Sequence, residues 1–153
     1  MSDATHLIAR TSESIDAPRP GTPITLVFAP GYSPSATKNF FQCGANMRTN
    51  RWGKAAITKQ IRADVVLLAR SQHLPRITGR VDVLGVQHPA TGRRAHDSEN
   101  IAPLVKAAID GLRDAGVLVN DSPKYVRTVS LTTGYRVPGG QLVLHITILE
   151  GGE

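Results

Sequence analysis

Six apolar residues, Ile101, Leu104, Val105, Ala108, Ile109 and Leu112, recur at i, i+3, i+4, i+7, i+8 and i+11. That period belongs to one face of an α-helix and to no strand. The stripe must be buried against something, so the chain is committed to at least one helix lying on a core. Asn100 stands where an N-cap is expected, Pro103 falls in the first turn where a missing N–H is harmless, and Gly116 is placed to end the helix in the left-handed conformation.

The remaining periodic segments say what the helix can lie on. Ile24 to Ala29 is β-branched and apolar and is stopped by Pro30-Gly31, a first strand. Tyr32 to Arg48 mixes Gly, Pro, Ser and Asn with two phenylalanines and reads as a long loop. Trp52 to Ser71 reads as a second helix, with Ile57, Ile61, Val65 and Leu68 as its apolar stripe and Pro75 beyond its end. Gly79 to His88 alternates as a strand, with Val81 and Val83 on one side and Asp82, Leu84 and Val86 on the other. Tyr125 to Thr132 and Gln141 to Leu149 are two more strands, joined through Gly134, Pro138 and Gly139-Gly140. The expected fold is a single α/β (α+β) domain over residues 23–150, a mixed β-sheet packed by two main helices. Residues 1–22, rich in Ser, Thr, Pro and Asp without periodicity, are expected to be a disordered lead-in.

Charge narrows the function. Eighteen Lys and Arg oppose twelve Asp and Glu, and five of those acids lie in the first sixteen or last four residues. Between Arg19 and Leu149 there are seven acids against seventeen bases, a net +10. A basic domain of this kind is expected to meet a polyanion. The single cysteine, Cys43, excludes an intramolecular disulfide and a Cys-based zinc cluster, and fits a reducing compartment. The N-terminal stretch has no apolar run of signal-peptide length, and no later run approaches a membrane span. A cytoplasmic protein without membrane contact is expected.

Chemistry concentrates around the striped helix. Asp97 and Glu99 lie one residue apart at its entrance, where two carboxylates can converge on a hard cation such as magnesium. Acids at a helix start also favour the helix dipole with no metal involved. Lys106 and Asp110 fall opposite the apolar stripe, four residues apart, and are expected to pair on the exposed face. Asp121, in Asn120-Asp121-Ser122, lies just past the helix, where an Asp before Ser-Pro is ordinarily a turn former. An antiparallel return of the following strand is expected to carry Asp121 back towards Asp97. His96 reads as a loop histidine, Trp52 and Tyr125 as core or interface residues, and Tyr32, Phe40 and Phe41 as residues of the long loop, with an aromatic wedge for distorted DNA as the lesser alternative.

The segment RRAHDSENIAPLVKAAIDGLRDAGVLVNDSPKYV, Arg93 to Val126, resembles the signature of the RusA family of Holliday junction resolvases. In that family an Asp-x-Asp-Asn motif opens a helix of the type Lys-x-x-x-Asp-x-Leu, followed by a loop with Asp-Asp-Ser and a strand. Asp97 and Glu99 match the paired acids, Asn100 the Asn, Lys106 and Asp110 the helix Lys and Asp, and Asp121 the loop acid. NRWGKAAITKQIRADV is similar to the family's basic helix after the first strand. Three positions depart: Glu99 stands where Asp is usual, Lys106 follows Asn100 by six residues where three is commoner, and Asn120 replaces the first acid of the loop.

The resemblance implies a magnesium-dependent (or manganese-dependent) endodeoxyribonuclease, a hydrolase of recombination and repair that resolves four-way junctions and other branched DNA by paired nicks. It implies Asp97, Glu99 and Asp121 as metal ligands, Lys106 as the catalytic cation, and a homodimer in a bacterial cell or encoded by a phage. Arg93, Arg94, Asn100, Arg51 and Lys54 are the expected DNA contacts. The competing expectation is a non-catalytic nucleic-acid-binding module, with the acids serving only as helix-start residues.

Overall fold

The computed structural model describes residue 18 and residues 20–32, 51–90 and 101–150, the side chains of residues 51 and 52 excepted. The order is β1 (Pro23–Val27), α1 (Arg51–Ser71), β2 (Val81–His88), α2 (Ala102–Asp114), β3 (Val126–Thr133) and β4 (Gln141–Ile148). Each element falls where hydrophobic period places it, and the fold is one small α+β domain with a mixed sheet.

The sheet order is β1-β4-β2-β3. β4 runs antiparallel to both of its neighbours, while β2 and β3 are parallel and joined through α2. The last strand therefore lies inside the sheet. The expected antiparallel return after α2 is not what forms: β3 runs alongside β2, the outcome for two strands joined through a helix.

Register puts Ile24, Leu26, Leu142, Leu144, Ile146, Val81 and Val83 on one face, and all of them are buried in the core with the helix stripes. Two glycines set how closely the layers approach. A Cβ on Gly85 of β2 would lie 2.8 Å from Val105 Cγ2 of α2. On Gly111 of α2 it would lie 2.7 Å from Val65 Cβ and 3.1 Å from the Arg62 carbonyl oxygen of α1. The stripe of α1, Ile61 and Val65 with Ile57 and Leu68 half-buried, packs along α2 and joins the same core.

Element ends follow local chemistry. Gly116 ends α2 at φ 78°, with its N–H donating to the Arg113 carbonyl and the Val117 N–H to that of Leu112. At the start of α2 the cap position is Ile101, which makes no side-chain cap hydrogen bond. Asn100, the expected cap, lies outside the described residues. α1 ends at Ser71, where the periodicity places it, and His73 follows at φ 53°. Beside it, Gln72 covers the free edge of β1: its Oε1 accepts from Val27 N–H at 3.0 Å and its Nε2 donates to the Val27 carbonyl at 2.7 Å. Of the expected lead-in, residues 20–22 form a turn tied to β4 by the Gly21 N–H and the Ile148 carbonyl. The rest lies outside the described residues except Pro18.

Because the α1–α2 approach depends on a missing Cβ, Gly111→Ala is expected to destabilise the fold by about 1–3 kcal/mol, although Ala is intrinsically the better helix former by about 1 kcal/mol. Urea unfolding of the variant beside the wild type checks this. Because Val65 Cβ at 2.7 Å and the Arg62 carbonyl oxygen at 3.1 Å both remain when the side chain at position 65 is truncated, Val65→Ala in the same chain should add to the loss.

Candidate functional site

α2 presents its polar face at Lys106, Asp110 and Arg113, positions i, i+4 and i+7. The chain returns to this face after the Gly116 turn. Val117 and Leu118 are buried and bound to Ile77, by the Ile77 N–H to the Val117 carbonyl and by an isolated bridge between Ile77 and Leu118. That anchor fixes the loop that follows. Asn120 Oδ1 then accepts from the Asp121 N–H at 2.7 Å and the Ser122 N–H at 3.4 Å, a side-chain turn that presents Asp121. Asn120 thus holds the backbone where the resembled motif carries an acid.

Asp121 meets two cations. Lys106 Nζ donates to its Oδ2 at 2.6 Å and Arg113 Nη1 to its Oδ1 at 3.1 Å. Lys106 also donates to Asp110 Oδ1 at 2.9 Å, so its ammonium bridges two carboxylates. The expected Lys106–Asp110 pair is present, but Asp110 is mostly shielded, with 16% of its side chain exposed against 63% for Lys106. Next to them, Arg62 of α1 donates through Nε to Asp114 at 2.8 Å and through Nη2 at 3.0 Å. Arg62 also feels the charges of Asp110 and Asp121. Three bases and three acids thus form one balanced network along α2.

The charges respond to one another. The Lys106 hydrogen bond, against the opposing effect of burial, holds the Asp121 carboxyl down to about 2. Asp121 and Asp110 in turn raise Lys106 above the ordinary lysine value. The Asp114 carboxyl is lowered by its hydrogen bond from Arg62.

Of the expected site residues, Lys106 and Asp121 are brought together. Asp97, Glu99, Asn100, Arg93 and Arg94 lie outside the described residues, as do Phe40, Phe41 and His96. Lys54 is exposed on α1, two turns before Arg62, and Arg62 meets the C-terminal end of α2. Lys54 therefore lies towards the C-terminal end of α2. Arg51 opens α1. Tyr32 is a packing residue, not a wedge: its ring lies 5.1 Å from that of Phe28 and its hydroxyl donates to Asp64. Tyr125 is half-buried, with Lys124 Nζ 5.6 Å from its ring centre.

Arg113, Arg62 and Asp114 were not singled out from sequence. Arg113 was findable, since it continues the polar face that carries Lys106 and Asp110. Among the described residues, no group of three or more His, Cys, Asp or Glu is arranged to hold a metal. Nor, among them, is any helix long and apolar enough to cross a membrane. Fold and site together define a basic α+β domain with a Lys–Asp–Arg network on one helix face. No protein-family model matches the chain, and no curated protein matches it.

A carboxyl lowered in the folded state contributes stability above its unfolded value, near 3.9, and loses that contribution as pH falls through about 2. Asp121→Asn is therefore expected to cost about 1 kcal/mol at pH 7, a size set by its partly exposed partners, and only a small part of that at pH 2. Urea midpoints of both proteins at pH 7, 4 and 2 check the convergence.

Proposed function

We propose that the chain is a magnesium-dependent endodeoxyribonuclease of the RusA type that nicks four-way junctions and related branched DNA as a homodimer. The observation that supports this reading is the 2.6 Å contact of Lys106 with Asp121 across fifteen residues of sequence. A helix lysine and a loop carboxylate from the two halves of the resembled motif share one site, and a solvated lysine face does not require that.

The donor chemistry fits a hard cation. Asp121 is ionised throughout the useful pH range, and Asp97 and Glu99 would complete a carboxylate set from the α2 entrance, with Mn2+ as an alternative to Mg2+. The described network is charge-balanced, so these two further acids bring an excess that a divalent ion matches. When bound, the metal would polarise the scissile phosphate and activate a water. The protein's own part is clearer. Lys106, tethered by Asp110 and Asp121 with most of its side chain in solvent, supplies a fixed positive charge to a phosphate oxygen in the transition state. Arg113 keeps Asp121 oriented while Lys106 engages substrate. Arg93, Arg94, Asn100, Arg51 and Lys54 would extend the phosphate contacts, and a two-fold dimer would set two such sites on opposite strands. A cytoplasmic location, in a bacterium or a phage-infected host, belongs to the same reading.

One observation favours the rival reading of a non-catalytic nucleic-acid-binding module: both oxygens of Asp121 are already paired with cations, as in a purely structural network. Metal dependence separates the two, since binding by basic residues alone responds mainly to salt.

Asp97→Asn is expected to abolish cleavage of a synthetic four-way junction in magnesium while leaving binding equal or tighter, because an anion is removed from a basic surface. Lys106→Ala should slow cleavage by about a hundredfold, with a stability loss of no more than about 1 kcal/mol. Gel assays with and without EDTA, beside thermal melts, read both. Wild-type cleavage by Asp97→Asn sinks the metal assignment, and no cleavage by the wild type in any divalent metal leaves the binding module.

A further inference from the structure

The β3–β4 connection carries the most exposed large hydrophobic side chain among the described residues, Tyr135 at 77%. Its backbone is held firmly. The Gly134 N–H donates to the Gln87 carbonyl, the Val137 N–H to that of Pro89, the Gly140 N–H to that of Val137 and the Gly31 N–H to that of Gly140. Gly134 lies flush against buried His88, since a Cβ there would be 2.6 Å from His88 Cε1. The His88 ring makes a hydrogen bond through Nδ1 with the Tyr135 carbonyl oxygen at 2.8 Å and packs against the Tyr135 ring, centroids 4.5 Å apart. One side of the phenol ring is thus backed by the protein while most of its surface faces water.

Arg136, next in sequence, is exposed and joins no ion pair among the described residues. This differs from Arg62, Arg113 and Arg127, each of which is neutralised by an aspartate. A rigid aromatic beside an uncommitted guanidinium, on a basic domain, is a combination suited to a nucleobase and its phosphate. In duplex DNA both faces of every base are covered by stacking. An aromatic platform of this kind therefore meets only a base that is unpaired or unstacked, as at a strand exchange point or in single-stranded DNA.

We propose that Tyr135 is a base-stacking platform and Arg136 its phosphate anchor, together selecting DNA with an unstacked base over uninterrupted duplex. The proposal deepens the nuclease reading and rests on it only for the nature of the substrate. The loop adjoins the C-terminal end of β2, the strand from which the chain runs on towards α2. The platform is built in advance, so binding need not order it, which favours affinity.

The experiment uses the full chain with a four-way junction carrying 2-aminopurine at the exchange point, in calcium so that binding is read without turnover. Stacking on Tyr135 quenches the fluorophore. Tyr135→Leu is expected to lose the quench and about tenfold in junction affinity, with duplex affinity changed less than twofold, and Tyr135→Phe to retain both. Arg136→Ala should weaken binding and reduce the salt slope by about one. Unchanged quenching and affinity in Tyr135→Leu, with its melting temperature intact, overturns the platform even if the wild type cleaves. Quenching that depends on Tyr135 in a protein that never cuts in magnesium leaves the platform and removes the nuclease. Failure of the wild type to bind any junction or single strand removes both.

Discussion

Everything in the domain depends on how near α2 comes to its neighbours. It packs both on the sheet and against α1, and at each contact a glycine removes the atom that would keep the neighbours apart: Gly85 under Val105, Gly111 against Val65. Burial of the whole stripe, Leu104, Val105, Ala108, Ile109 and Leu112, follows from that double approach. So does the direction of the opposite face. With its apolar side fixed on the sheet and one flank closed by α1, α2 can offer solvent only the strip bearing Lys106, Asp110 and Arg113. The site is the remainder left when packing has been satisfied.

The network on that strip has the properties of an organised device and not of a solvated charge run. Each cation touches a carboxylate presented by a different part of the chain, and Asp121 arrives on a loop pinned by buried Val117 and Leu118. Pinning matters energetically. An exposed pair contributes little because two flexible side chains must be ordered to make it, but here the loop, Asn120 and the helix have already met that cost. Lys106 is the exception, with its stem in solvent and only its tip held. It can exchange a carboxylate oxygen for a phosphate oxygen with small loss.

Elements were legible in the sequence because periodicity is local. The stripe of α2, the alternation of β2 and the glycine at position 116 each report their own backbone. Pairing is not local, and it was the part that could not be read. Nothing in Gln141–Ile148 says that this strand inserts between β1 and β2, because the information lies in which apolar faces remain when the helices have packed. The site divides the same way. Lys106 and Asp110 are four apart on a helix and were visible as a pair, whereas Lys106 and Asp121 were joined only by resemblance to a motif. Arg62 with Asp114 spans two helices and left no local trace. Tyr135 was invisible for a different reason: an exposed aromatic and a buried one look alike until the surrounding surface is built.

Insertion of β4 has a consequence for how the chain acquires its shape. β1 is made first, yet the strand it pairs with is the last to be synthesised, so more than a hundred residues separate the two halves of that ladder. On the ribosome, β1 waits with an unpartnered edge and the apolar side chains Ile24 and Leu26 uncovered, while the β2–α2–β3 unit can already assemble from consecutive segments. Closure of so long a loop is entropically slow. The domain should therefore form in two stages, a parallel unit that gathers early and a sheet completed only by the final strand. A nascent chain stopped short of residue 141 would hold its helices yet lack the centre of its sheet.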